Sequence, residues 1–141
     1  MAVRTAQAEW KGTLSEGQGT LQTESGALVS AYDFASRFET GDLTNPEELI
    51  GAAHAACFAM AFSHILSEAG YTPNSVAVTA SVHMEKTDAG PTITEINLDC
   101  EASVDDIDED TFLEHAESAR AGCPVSRALA AVDISLEARL L

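Results

Sequence analysis

The stretch NPEELIGAAHAACFAMAFSHILSEAG, residues 45–70, decides the fold because it predicts one long apolar helix. Asn45 is suited to cap the free amides of the first turn, and Pro46 then takes the first helical position, where its missing N–H costs nothing. Glu48 follows the cap at capping-box spacing, and Gly70 is the natural residue just beyond the last turn. We expect about 24 helical residues, a length of roughly 36 Å.

This helix is apolar or small nearly all round between residues 49 and 66. A helix without a polar face is buried, so the pattern predicts burial on all sides. Its length would also suffice to cross a membrane. However, His54, Ser63 and His64 interrupt the apolar run, and no Lys or Arg flanks it as an anchor. We therefore expect a core helix of a soluble protein and no membrane partner.

The remaining chain predicts an α+β fold with one domain over residues 1–141. Alternating apolar residues predict strands at 5–11, 20–23, 27–31, 75–85, 92–104 and 132–140. Helical signals recur at about 109–121 and, in a short helix, at about 125–130, whereas residues 32–43 are predicted to be irregular. The order indicates antiparallel sheets around the long central helix.

Charge and cysteine content exclude some functions. The net charge of −16, without a basic patch, argues against nucleic-acid binding. No short basic start precedes an apolar run near the N-terminus, so we expect no signal peptide. Three cysteines, an odd number, do not form a structural disulfide framework. They indicate reduced thiols and a cytoplasmic protein.

The three cysteines lie in different predicted environments. Cys123 opens the short helix with Pro124 behind it, so backbone amides favour its thiolate; the alternative is a small capping residue. Cys57 lies in the middle of the apolar helix, where desolvation raises the pKa of a thiol. On that ground Cys57 is a buried structural cysteine, and it becomes reactive only if a cation reaches it. Cys100 lies in a strand without a positive neighbour and is interpreted as structural.

Arg37, in the polar segment before the central helix, is the most available cation for Cys57. Glu47 lies ten residues before Cys57, about 15 Å along the same helix, and cannot touch that thiol in its own chain. It could reach Cys57 of a second chain if two copies of the helix pack antiparallel. The alternative is a first-turn acid that only favours the helix dipole.

A metal site is a further possibility at the cysteines. His54, Cys57 and Cys123 are residue types that bind zinc. No Cys-x-x-Cys or His-x-x-x-His pattern accompanies them. We expect no metal, and we expect His54 to be a buried histidine with a satisfied hydrogen bond.

Two segments, residues 44–58 and 121–126, resemble the osmotically inducible protein C family, which includes the organic hydroperoxide resistance proteins. The resemblance extends to residues 24–26, 37–39 and 134–136 and thus covers nearly the whole chain. Around Cys57 the sequence is closer to the osmotically inducible branch.

The resemblance implies a thiol-dependent peroxidase that forms an intertwined homodimer and acts in oxidative and osmotic stress defence. Cys57 matches the peroxidatic cysteine and Cys123 the resolving one, while Arg37 and Glu47 match the charged pair that activates the thiol. The resemblance also suggests an external dithiol reductant of lipoyl type and no bound cofactor.

Two further expectations concern the substrate and an alternative function. Apolar walls from Phe58 and Met60 would favour an organic hydroperoxide over hydrogen peroxide. The alternative is a non-enzymatic dimeric binding module that holds an apolar small molecule or a metal in the same pocket.

Overall fold

The computed structural model describes residues 2–141, and the predicted α+β class is confirmed. In these residues the elements are β1 Ala6–Lys11, β2 Gln18–Thr23, β3 Val29–Tyr32, α1 Phe34–Phe38, α2 Pro46–Glu68, β4 Pro73–Thr87, β5 Gly90–Val104, α3 Glu109–Gly122, α4 Pro124–Ala128 and β6 Asp133–Leu140. The chain divides into two compact units, of which the first ends at Leu49 and the second is Ile50–Leu141. Whether residues 1–141 act as a single domain stays a prediction.

The first unit contains an antiparallel meander in the order β1-β2-β3. Trp10 and Tyr32 lie across the middle strand with ring centroids 5.4 Å apart. Gly19 makes this possible, because a Cβ at that position would lie 2.5 Å from the Tyr32 ring and 2.7 Å from the Trp10 ring. The predicted meander is confirmed.

A short helix, α1, follows the meander where the sequence was predicted to be irregular. That prediction is wrong for Phe34–Phe38. The Asp33 side chain accepts a hydrogen bond from the Ser36 amide at 2.8 Å, and the Ser36 hydroxyl accepts one from the Asp33 amide at 3.0 Å. This reciprocal capping box stabilises a helix too short to show apolar periodicity.

The second unit is built on the sheet β4-β5-β6. β4 and β5 form the predicted long antiparallel hairpin. β6, however, pairs with β5 in parallel, so this sheet is mixed rather than antiparallel throughout. The cause is the connection through α3 and α4, which returns the chain to the same end of the sheet, as a crossover between parallel strands requires.

The ends of α2 agree with the capping signals. The Asn45 side chain accepts from the Glu48 amide at 2.8 Å, and Gly70 has φ +94°, the left-handed region that glycine adopts freely. Glu48 does not return the bond in a capping box; its carboxylate accepts from the Thr44 hydroxyl at 2.7 Å. The helix therefore begins and ends as the sequence predicts.

One face of α2 enters the core of the second unit. Phe58, Phe62 and Leu66 are fully buried at helical spacing. The ring of Phe62 lies 5.8 Å from that of Phe58 and 5.2 Å from that of Phe112 on α3. At Gly51 a Cβ would lie 3.4 Å from Val82, so glycine allows α2 to approach β4 closely.

The opposite face of α2 is exposed, so the expectation of burial on all sides is wrong for a single chain. Only 28% of an apolar 18-residue window of α2 is buried. Ala52, Ala56 and Met60 lie at four-residue spacing on the exposed side, and Met60 is 75% exposed. By length and composition α2 could cross a membrane, a test that the core helix of a soluble protein also passes.

Candidate active site

Cys123 lies at the junction of two helices. It ends α3, where its amide donates to Ala119 at 3.0 Å, and it caps α4, where its sulfur accepts from the Ser126 amide at 3.3 Å. Pro124 takes the first position of α4. The predicted location of Cys123 at a helix start is therefore confirmed, although the residue is 1% exposed.

Cys57 and Cys123 are neighbours, although they are far apart in the sequence. Cys57 lies in the middle of α2, is partly buried, and lies close enough to Cys123 for each thiol to change the pKa of the other. The Val125 amide at the start of α4 and the charge of Arg127 both lower the pKa of the Cys57 thiol. All three cysteines are free thiols.

The pKa values of the two neighbouring thiols are shifted in opposite directions. Burial raises the pKa of Cys57 above its usual value, and the adjacent Cys123 raises it further, against the Val125 amide and the Arg127 charge. Burial opposes ionisation of Cys123 too. At Cys123, however, the hydrogen bonds from the Ser126 hydroxyl and amide, together with Cys57 and the Val125 amide, outweigh burial, so its pKa lies below its usual value. Within the second unit, Cys123 is thus the more acidic thiol.

His54 lies beside this pair in a fully buried position. Its Nε2 lies 2.7 Å from the Ser126 Oγ, which in turn lies 3.3 Å from the Cys123 sulfur. The predicted buried histidine with a hydrogen bond is confirmed for Nε2, whereas Nδ1 has no partner in residues 2–141. Burial lowers the pKa of His54 and keeps the ring neutral.

Ser126 was missed in the sequence analysis. The available signal was its place three residues after a capping residue, where a side chain can turn back to the cap. A metal centre gains no support, because residues 2–141 hold no group of three or more His, Cys, Asp or Glu that could bind one.

Arg37 and Glu47 form an ion pair in the first unit. Arg37 lies in the last turn of α1 and Glu47 in the first turn of α2. The Nε and Nη2 of Arg37 donate at 3.0 and 2.8 Å to the same oxygen, Oε1, rather than to both carboxylate oxygens. The Asn45 side chain donates to the Ser36 carbonyl at 3.0 Å and ties α1 to the start of α2.

Glu47 is more buried than its partner. The Glu47 side chain is 10% exposed and that of Arg37 is 38% exposed, while Oε2 of Glu47 has no hydrogen-bond partner in residues 2–141. The guanidinium of Arg37 also lies 5.3 Å from the Phe38 ring. The pair therefore holds one guanidinium in a fixed place and leaves part of it accessible.

The burial of Cys100, Phe58 and Met60 bears on the roles predicted for them. Cys100 is fully buried in β5, and burial raises its pKa to about 11, which disfavours the reactive thiolate; its structural role stays a prediction. Phe58 is fully buried in the core, and Met60 is exposed on the other side of α2. The expected pocket wall of Phe58 and Met60 is therefore absent from the single chain within residues 2–141.

Together the fold and the site define an α+β protein in which two free thiols lie close together. The chain belongs to the family of OsmC-like proteins, whose family model matches residues 39–137. It is 51% identical to the peroxiredoxin OsmC of Escherichia coli (strain K12) over 97% of this chain and 96% of that protein.

A second relative and two solved structures agree with this assignment. Over 67% of this chain and 66% of the other, the identity is 31% to the organic hydroperoxide resistance protein-like 2 of Staphylococcus saprophyticus. The organic hydroperoxide resistance protein OsmC of Legionella pneumophila has a similar structure, with TM-score 0.73, 25% identity and 98% coverage of both chains. For OhrB of Bacillus subtilis the TM-score is 0.70 at 27% identity, covering 96% of this chain and 98% of that one.

Proposed function

We propose that this chain is a thiol-dependent peroxidase that reduces organic hydroperoxides to alcohols in defence against oxidative and osmotic stress. The observation that carries the proposal is the proximity of Cys57 and Cys123, each of which changes the pKa of the other. The 51% identity to a peroxiredoxin supports it, and so does the likeness to organic hydroperoxide resistance proteins. The alternative of a non-enzymatic binding module gains no support from these relatives.

In the first step Cys57 reacts with the peroxide. Its thiolate attacks the terminal oxygen of the hydroperoxide, an S–O bond forms and the O–O bond breaks. The leaving alkoxide takes up a proton and departs as the alcohol. Cys57 is left as a sulfenic acid, oxidised by two electrons.

In the second step Cys123 resolves the sulfenic acid. Its sulfur attacks that of Cys57, an S–S bond forms, and hydroxide leaves and becomes water with the proton that Cys123 gives up. The proximity of the two thiols supports this step, because the reacting groups lie near each other before the reaction.

Arg37 and Glu47 activate Cys57. Burial raises the pKa of this thiol, and Cys123 is the more acidic of the two, so attack by Cys57 needs a further positive charge. Arg37 supplies that charge, and Glu47 holds the guanidinium in place. Because Glu47 precedes Cys57 by about three turns of α2, roughly 15 Å, the pair serves Cys57 of a second chain.

A homodimer is part of this proposal. The exposed ridge of Ala52, Ala56 and Met60 on α2 supports it, because small side chains at four-residue spacing allow two helices to pack closely. Two-fold packing of this ridge creates two equivalent sites. It also covers apolar surface that is unusual on a stable monomer.

The reduced enzyme is regenerated by an external dithiol. Exchange with a dithiol, for which a lipoyl-type donor is proposed from the family resemblance, returns both cysteines to thiols without a bound cofactor. Three free cysteines are consistent with a cytoplasmic location.

Steady-state turnover of several hydroperoxides with several dithiols tests the function. We expect consumption of tert-butyl hydroperoxide with a lipoyl-type dithiol, and loss of turnover in Cys57→Ser. Cys100→Ser is the matched control and should retain full activity. Full multiple turnover by Cys57→Ser would refute the assignment.

Size-exclusion chromatography with light scattering tests the homodimer. Met60→Glu places a charge on the exposed ridge of α2 and should yield monomers with little activity. Leu113→Glu, at a 41% exposed position on α3, is the control and should remain dimeric. A stable, fully active monomer would contradict the role of Glu47 across chains.

A further inference from the structure

A buried hydrogen-bonded chain joins His54 to Cys123. The Nε2 of His54 lies 2.7 Å from the Ser126 Oγ, and this oxygen lies 3.3 Å from the Cys123 sulfur. His54 is fully buried, Ser126 is 5% exposed and Cys123 is 1% exposed. The three groups therefore interact without competition from bulk water, where hydrogen bonds are strongest.

The surroundings of His54 determine the direction of these hydrogen bonds. Its Nδ1 has no partner in residues 2–141. A proton on Nδ1 would leave a buried N–H donor unpaired, which is unfavourable because its desolvation is not compensated. A proton on Nε2 is instead shared with the Ser126 Oγ. Since His54 then donates to Ser126, the Ser126 hydroxyl is free to donate to the Cys123 sulfur.

We propose that His54 and Ser126 are positioning residues that stabilise the Cys123 thiolate for its attack on the Cys57 sulfenic acid. This inference rests on the proposed peroxidase function. The neutral His54 orients the Ser126 hydroxyl, and the hydroxyl and the Ser126 amide both donate to the Cys123 sulfur. Hydrogen bonds to an ionised acceptor are roughly twice as strong as neutral ones. This relay of His54 and Ser126 therefore favours the Cys123 thiolate over the thiol.

The relay acts on the second step of the reaction. The Cys123 thiolate forms the S–S bond as the S–O bond of Cys57 breaks, and the departing hydroxide combines with the proton that Cys123 released, giving water. The sulfur of Cys123 is oxidised and that of Cys57 is reduced. His54 and Ser126 keep their own protons throughout.

The groups that act on Cys123 come from two helices. On α2 they are His54 and Cys57. On α4 they are Ser126 and the Val125 amide, while Arg127 acts on Cys57. The pH dependence of Cys123 alkylation therefore reports mainly on the relay and on Cys57.

Alkylation by iodoacetamide across pH, followed by peptide mass spectrometry, tests the relay. Cleavage after Lys and Arg places each cysteine on its own peptide, residues 38–86, 87–120 and 121–127. In Ser126→Ala and His54→Met, the pKa of Cys123 should rise by about one unit, so that alkylation near neutral pH slows about tenfold. His54→Gln, whose amide N–H can replace Nε2, should restore the wild-type profile.

Single-turnover oxidation with one equivalent of tert-butyl hydroperoxide is the second readout. In Ser126→Ala, disulfide formation should slow about tenfold, while consumption of the peroxide is not slowed. Ser118→Ala and His83→Gln, at exposed positions, are the matched controls and should behave as wild type.

Two outcomes would overturn the relay. If the pH dependence of Cys123 alkylation is unchanged in Ser126→Ala, Ser126 does not stabilise the Cys123 thiolate. A His54→Gln profile that matches His54→Met would assign His54 to packing alone. The alkylation profile does not require peroxide, so a failure of the peroxidase function and a failure of the relay are distinguishable.

Discussion

Cys123 at the α3–α4 junction and Cys100 in the middle of β5 are almost equally hidden, with exposures of 1% and 0%. Their pKa values are nevertheless shifted in opposite directions from the usual value of a thiol. Burial raises the pKa of Cys100 to about 11, whereas the pKa of Cys123 lies below its usual value although burial opposes this. Burial alone therefore does not decide whether a cysteine of this protein can react.

The difference lies in what surrounds each sulfur. The interior of a strand offers Cys100 apolar neighbours and the adjacent Asp99, whose charge disfavours a thiolate. The junction offers Cys123 an amide and a hydroxyl, both from Ser126. A helix start thus compensates a buried sulfur with donors, and a sheet interior does not.

The largest expected effect comes from exchanging each of these two cysteines for serine. Cys123→Ser should end multiple turnover and leave about one peroxide reduced per site, because the Cys57 sulfenic acid then lacks its partner and over-oxidises. Cys100→Ser should turn over like the wild type. Peroxide consumption with excess dithiol measures both. Equal loss in the two variants would remove the distinction between the junction and the strand.

A second prediction compares two arginines. Arg37→Met should lower kcat/KM for the hydroperoxide about 100-fold, since loss of the charge raises the pKa of Cys57 and lowers the fraction of thiolate at neutral pH. Arg139→Met removes a surface cation that pairs with Asp99 and Glu101, and should change kcat/KM little. Steady-state kinetics on both variants measures this. Wild-type kcat/KM in Arg37→Met would contradict activation by the ion pair.

A third, smaller effect concerns stability and His54. Burial lowers the pKa of this histidine in the folded chain below its ordinary value of 6.5, so the unfolded chain binds the proton first as pH falls. The contribution of neutral His54 is complete above pH 6.5 and is lost as the pH falls from there through the lower folded pKa, by at most about 1.4 kcal/mol per pH unit.

Urea unfolding at several pH values measures this contribution. His54→Met should flatten the dependence in this range, and His83→Gln, on the exposed side of β4, should keep it. A slope unchanged in His54→Met would mean that another group carries the titration.

The sequence predicts much of this arrangement because its signals are local. The caps at Asn45 and Gly70, the alternation of β4 and the position of Cys123 before Pro124 each depend on a few neighbouring residues, and all are confirmed.

Other features depend on residues that are distant in the sequence, and these were missed. The parallel pairing of β6 with β5 follows from the crossover through α3 and α4. The exposed ridge of α2 depends on which face the sheet covers. The hydrogen bond between His54 and Ser126 joins two helices that share no local pattern. The helix α1 was not predicted within residues 32–43, because a helix of little more than one turn shows no apolar periodicity.

We expect Cys57 and Cys123 to form one redox unit in which Cys100 takes no part. The most direct measurement is peptide mass spectrometry of the reduced protein after one equivalent of tert-butyl hydroperoxide, with free thiols blocked before cleavage. We expect a disulfide between the peptides 38–86 and 121–127, one equivalent of alcohol, and a blocked, unoxidised thiol on the peptide 87–120. A disulfide that includes Cys100, or consumption of peroxide with all three thiols still reduced, would contradict it.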